Sequence, residues 1–206
     1  MRARTFAVAL LTSVISASAL EAQVKGSEAV DNAATFQDAL VEVVGYPMTQ
    51  GEIDYLLDNV DEVVVWAGSH KEEWDSVDEA DDALPAIKQL SVWNDTGVAM
   101  SPFIAILLKT QVAHQIQTQG FTAEQLNAQI EQAEQMMDSG VIPAEQMAEL
   151  EEQLEWGRML AVALENYPEG NLALYDANSV EIAAALESFN NATEDTSGAA
   201  GGGDAD

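Results

Sequence analysis

None of the five prolines lies inside a periodic apolar segment. Pro47, Pro85, Pro102, Pro143 and Pro168 all stand at segment ends, where a fixed φ and a missing N–H cost least. Between them apolar residues return every three or four positions, the spacing of helices that each bury one stripe. This punctuation predicts an all-α fold, a single-domain bundle of about six to eight short to medium helices.

The first helix is expected from Ser27 to Gly45-Tyr46-Pro47, with Val30, Ala33, Ala34, Gln37, Leu40, Val41 and Val44 along one stripe. Thr49 and Glu52 can satisfy each other's backbone donors as a capping box, opening a helix that buries Ile53, Leu56, Leu57, Val60, Val64 and Ala67. Gly68 suits the left-handed position past that helix. Ser69 with Glu72 then offers a second box for a short helix to about Val77. The run Val63-Val64-Val65-Trp66 also reads as a strand, although no second run of comparable quality is there to pair with it.

Asp75 to Asp82 is an acidic connector or a frayed helix, Pro85 to Trp93 a short helix, and Asn94-Asp95-Thr96-Gly97 a loop. Ser101 as N-cap and Pro102 at the first position open a helix whose first half, Phe103 to Leu108, should be the buried centre. Thr122 with Gln125 forms a box and Phe121 with Leu126 a hydrophobic staple, starting a helix that ends at Asp138-Ser139-Gly140. A longer helix follows from Ile142-Pro143 to about Asn166, and the two are expected to form an antiparallel αα-hairpin. Ala123-Glu124-Gln125 returns as Ala144-Glu145-Gln146, a weak sign of duplication that segments rich in these residues also produce by chance. A last helical stretch runs from Leu172 to Phe189, restarted at Asn178.

Residues 1–19 read as a signal peptide: Arg2 and Arg4, an apolar run from Phe6 to Ile15, and Ala17-Ser18-Ala19, with cleavage after Ala22 the nearest competitor. The apolar run is too short to span a bilayer, so no stable membrane anchor is expected after cleavage. Residues 20–190 are expected to be the helical domain. The Gly-rich acidic stretch 191–206 has the composition of a disordered tail. This organisation predicts export, to a periplasm or the extracellular space.

Of 7 lysines and arginines two lie in the leader, and 36 carboxylates face the remainder. A field of that sign repels nucleic acid and anionic membranes. The acidity fits a solvated surface, suited to a saline habitat, or a face for cations or a basic partner. With no cysteine the chain has no disulfide, thiolate ligand or thiol nucleophile.

Chemical motifs are sparse. The sequence has no G-x-S-x-G, S-x-x-K, H-E-x-x-H or phosphate loop, and its only histidines are His70 and His114. His70 and Glu73 share a helix face, a weak beginning for a metal site. No catalytic residue, metal or cofactor is therefore assigned.

Trp66, His70 and Trp74 recur at helical spacing, as an aromatic platform for a sugar or peptide or as core packing at a helix kink. Met136, Met137 and Met147 offer an adaptable partner-binding groove or, again, core. These six residues are the candidate partner surface. Phe121-Thr122-x-x-Gln125 is similar to the Leu-Thr-x-x-Gln signature of the Spy family of small helical periplasmic chaperones. The similarity covers five residues, with Phe in place of Leu, and a capping box with a staple accounts for it without kinship. The expected role is a non-enzymatic, chaperone-like or scaffolding module that meets a protein or peptide through the 121–166 hairpin or an apolar groove beside it. A carboxylate-based extracytoplasmic hydrolase is the alternative.

Overall fold

The computed structural model describes residues 24–78, 80, 83–139 and 144–194, and the helices among them confirm the all-α class. The expected leader lies outside the described residues, as do parts of the acidic connector and the stretch beyond Glu194.

Where one helix was expected from Ser27, two form: α1 (Ser27–Asn32) and α2 (Phe36–Val44). Thr35 breaks the run. Its hydroxyl accepts the Asp38 N–H at 3.0 Å, and the Asp38 carboxylate accepts the Thr35 N–H at 3.3 Å, a complete capping box. Lys88 seals the other side of the break, donating to the carbonyls of Asp31 (3.1 Å) and Ala33 (3.0 Å).

Helix α3 (Gln50–Ser69) starts with the expected box, Thr49 and Glu52, and residues 63–66 are helical rather than extended. Gly68 stays inside α3, and the helix ends instead at His70, at φ −123° and ψ 45°. Ser69 does not cap the next helix, because its hydroxyl turns back onto the carbonyls of Val65 and Trp66. Next come α4 (Lys71–Asp78), α5 (Ala83–Ile87) and α6 (Val92–Asp95).

Helix α7 (Met100–Gln119) begins one residue before Ser101, with Ala99 as N-cap. The Ser101 hydroxyl is thereby freed to bond the Asp31 carboxylate and tie α7 to α1. Gly97 (φ 74°) makes the left-handed turn that precedes it, and Gly120 (φ 66°) the one that ends it. Helices α8 (Ala123–Asp138), α9 (Ala144–Glu165), α10 (Glu169–Ala177) and α11 (Ser179–Glu194) complete the chain. These segments outnumber the six to eight expected, because Thr35 divides the first, residues 88–91 divide the helix expected from Pro85 to Trp93, and the expected restart at Asn178 makes two helices of the last stretch.

Every residue of α7 from Ser101 to Thr110 is buried, so this helix is the centre of the main core, with α1, α2, α3, α10 and α11 packed on it. No single helix among the described residues is long and apolar enough to cross a membrane. A second, smaller cluster joins Val44 of α2 and Val112 of α7 to Leu160 and Leu164 of α9. Phe121 and Leu126, the two ends of the expected staple, pack against it.

Lys109 is the polar feature of the core. Fully buried, it donates to Glu52 Oε1 at 3.0 Å, and Glu52 Oε2 accepts the Thr49 N–H at 2.8 Å. Burial pushes the Lys109 ammonium below its usual range, with the Glu52 carboxylate pulling the other way. Nearby, buried Asn171 accepts the Met48 N–H at 2.7 Å and donates to the Tyr46 carbonyl at 3.1 Å. The turn between α2 and α3 is thus held by one cation and one carboxamide from distant helices.

Candidate functional site

Helix α3 is amphipathic, and its inner stripe of Ile53, Leu56, Val60, Val63 and Ala67 faces the core. Val65 is out of register with that stripe and stands 72% exposed. Beside it the chain returns through α6, which brings Asp95 and Thr96 against the C-terminal half of α3. The result is an open groove of about 530 Å³ lined by Val65 and Trp66, by the carboxylates Asp61, Glu62 and Asp95, and by Ser69 and Thr96.

Trp66 fixes the geometry. Its indole is buried and its Nε1 donates to Asp95 Oδ2 at 3.0 Å; the same oxygen accepts the Ser91 hydroxyl at 2.8 Å. These bonds, the indole's first, hold the Asp95 carboxyl below the usual carboxylate range, with His70 a smaller influence of the same sign. A general acid needs the opposite shift.

His70 lies flat on Trp66, ring centres 4.5 Å apart and planes 7° from parallel. Its Nδ1 is 3.0 Å from both the Trp66 carbonyl and the Ser69 hydroxyl. A carbonyl oxygen only accepts, so that contact places the proton on Nδ1. An imidazole holding its proton there cannot take one from Ser69 through that nitrogen, and Ser69 already donates to the Trp66 carbonyl at 2.9 Å. Thr96 is tied down likewise, donating to the Val92 carbonyl at 2.7 Å. Both groove hydroxyls are thus engaged with backbone carbonyls.

The three aromatic candidates divide. Trp66 lines the groove with His70 stacked on it, whereas Trp74 is buried and packs edge-on against Phe189 at 5.9 Å. The cause is the break at His70: once α3 ends there, the register that would align the three residues is lost. Glu73 is drawn away from His70, accepting the Ser91 N–H at 3.1 Å, with the Ser91 hydroxyl oxygen 3.2 Å from its other carboxylate oxygen. Among the described residues no three histidine or acidic side chains converge as a metal set.

The methionines stand apart from this groove. Met136 is exposed on α8, Met147 is half-buried on α9, and Met137 lines a hollow of about 230 Å³ with Leu154 and the paired Glu134 and Arg158. As groove residues, sequence reasoning missed Asp61, Glu62, Val65, Ser69, Asp95 and Thr96. Only Val65 carries a local signal, as an apolar residue outside the stripe of its own helix.

The chain matches no family model, no curated protein and no solved structure.

Proposed function

We propose that this protein is an exported, non-enzymatic binding module whose ligand is a basic protein or peptide segment carrying an apolar side chain. The observation that supports it most is the juxtaposition of exposed Val65 with three carboxylates, Asp61, Glu62 and Asp95, in one groove. An apolar side chain flanked by lysine or arginine would cover the valine and face the carboxylates. Charge complementarity of this kind mainly steers encounter and selects partners. The excess of carboxylates over the whole chain extends the same attraction to long range.

In this reading α8 and α9 form an antiparallel hairpin beside the main core, with Ile130 lying against Gly157 and Arg158 paired with Glu134. It serves as a brace for α2 rather than as the binding face. A carboxylate-based hydrolase would need a carboxyl kept protonated near neutral pH, and Asp95 moves away from that condition.

The test is calorimetric titration of the chain with a synthetic lysine–leucine peptide and with its copy carrying glutamate for lysine. The basic peptide should bind, losing affinity as salt is raised to about 0.5 M, where the screening length falls below about 5 Å. Val65→Lys, at a side chain that supports no core packing, should weaken it by about tenfold, or about 1.4 kcal/mol. Equal binding of the glutamate copy, or indifference to Val65→Lys, would reject the proposal.

A further inference from the structure

A second concavity, of about 460 Å³, lies between the C-terminal half of α7 and α11, and its chemistry is unlike that of the groove. Gln111, Gln115 and Gln119 line one wall, Asn190 and Asn191 the other, and Glu187 is the one carboxylate among the lining residues. In a chain with 36 acidic residues such a cleft is nearly neutral. Three glutamines elsewhere are tied to neighbours, Gln50 donating to Asp54, Gln89 to the Pro85 carbonyl and Gln117 to Asp176, while Gln37 and the glutamines of α8 are exposed to water. The carboxamides of Gln111, Gln115 and Gln119 have no hydrogen-bond partner among the described residues, although Gln111 and Gln115 are half-buried. Partly desolvated amides gain from a ligand that replaces their water.

We propose that this cleft binds an extended peptide through its backbone. The three glutamines are four residues apart, so their carboxamides rise about 6 Å per step along the axis of α7. The row they form inclines by about 26° to that axis, which lengthens the interval along the row to about 6.7 Å. An extended chain repeats every second residue, at about 6.6 to 6.8 Å, and alternate residues turn N–H and C=O to the same edge. A carboxamide carries the matching acceptor and donor. Each glutamine thereby meets one residue in two of the ligand with a pair of hydrogen bonds. His114, in the same wall, is steadied by a 2.7 Å hydrogen bond between its Nδ1 and the hydroxyl of buried Tyr175. Recognition of main chain tolerates sequence and requires no charge, which separates this site from the groove at Val65.

The probe is a neutral serine–threonine–valine peptide, titrated calorimetrically into the full chain beside a scrambled copy and a copy N-methylated at alternate amides. Original and scrambled peptides should bind within about twofold of each other, and N-methylation should cost about tenfold or more. Gln115→Leu and Gln111→Leu should each weaken binding several-fold at unchanged helicity, leaving the lysine–leucine peptide unaffected. Gln117→Leu, on the same helix but outside the cleft, should have no effect. Undiminished binding of the N-methylated copy, unchanged affinity in both cleft variants, failure of every neutral peptide, or binding of a maltooligosaccharide in their place would overturn the proposal.

Discussion

Helices α7 and α8 are joined through Gly120 and Phe121, yet they occupy opposite surroundings. Ten consecutive residues of α7, Ser101 to Thr110, are buried, whereas α8 buries only Ile130. The first helix is enclosed by the main core. The second rests on α9, and α9 reaches the body through the small cluster around Val44, Val112, Leu160 and Leu164. Because stabilisation follows apolar area removed from water, the two regions should differ in the free energy needed to open them. The lesson is that adjacency in sequence and continuous helicity do not make two segments equally stable.

The sharpest way to break this comparison is Phe103→Ala, at the largest fully buried side chain of α7. A cavity there should cost about 3–5 kcal/mol. Urea titration followed by circular dichroism should show the whole molecule losing stability together. A loss confined to α8 and α9 would invert the contrast.

Ile130→Ala tests the other side. It should cost about 2 kcal/mol, the lower end for such a truncation, because the site is at the edge of the fold and can collapse onto Gly157. Hydrogen exchange should quicken along α8 and α9 while amides of α7 keep their protection. Equal acceleration in α7 would mean the two regions form one cooperative unit.

Tyr167 packs against both clusters and so marks the seam between them. Burial pushes its phenol from 10.0 up to about 12, and its hydroxyl has no partner of ordinary geometry among the described residues, Asn171 nearby opposing the shift only weakly. Between those two values the unfolded chain has lost the proton and the folded chain has kept it. Stability contributed by this group is therefore complete below pH 10 and falls as pH rises toward 12. Tyr167→Phe should flatten that alkaline decline by up to about 2 kcal/mol, as read from urea midpoints across a pH series. An unchanged slope would remove Tyr167 from the seam.

The smallest effect is a gain. A methyl group at Gly68 meets nothing within 4 Å, and the residue is helical, so Gly68→Ala should raise stability by about 0.5–1 kcal/mol. Its melting temperature should rise. A fall would show that α3 needs its glycine for the turn at His70.

What could be read from sequence was what local chemistry decides. The box at Thr49 and the cap at Thr122 use partners three residues away, and each formed, the second through its hydroxyl half. The box at Thr35 went unread because an apolar stripe runs through it, and the Lys88 side chain that helps hold the break arrives from far along the chain. The buried centre at Phe103 to Leu108 was legible as an uninterrupted apolar run. Lys109 was not, since nothing near it in sequence announces that Glu52 will stand 3.0 Å away. The groove divides likewise: Val65 shows its position through periodicity, but Asp95 reaches Trp66 across 29 residues by tertiary packing alone.

Scarcity of basic side chains gives the two regions a built-in reporter. Trypsin cuts only after lysine or arginine, and Lys109 lies at the centre of one region while Arg158 lies on the outer face of the other. Cleavage after Arg158 requires only that α9 loosen; cleavage after Lys109 waits for the core to come apart. The order in which those two fragments accumulate would rank the regions without any label.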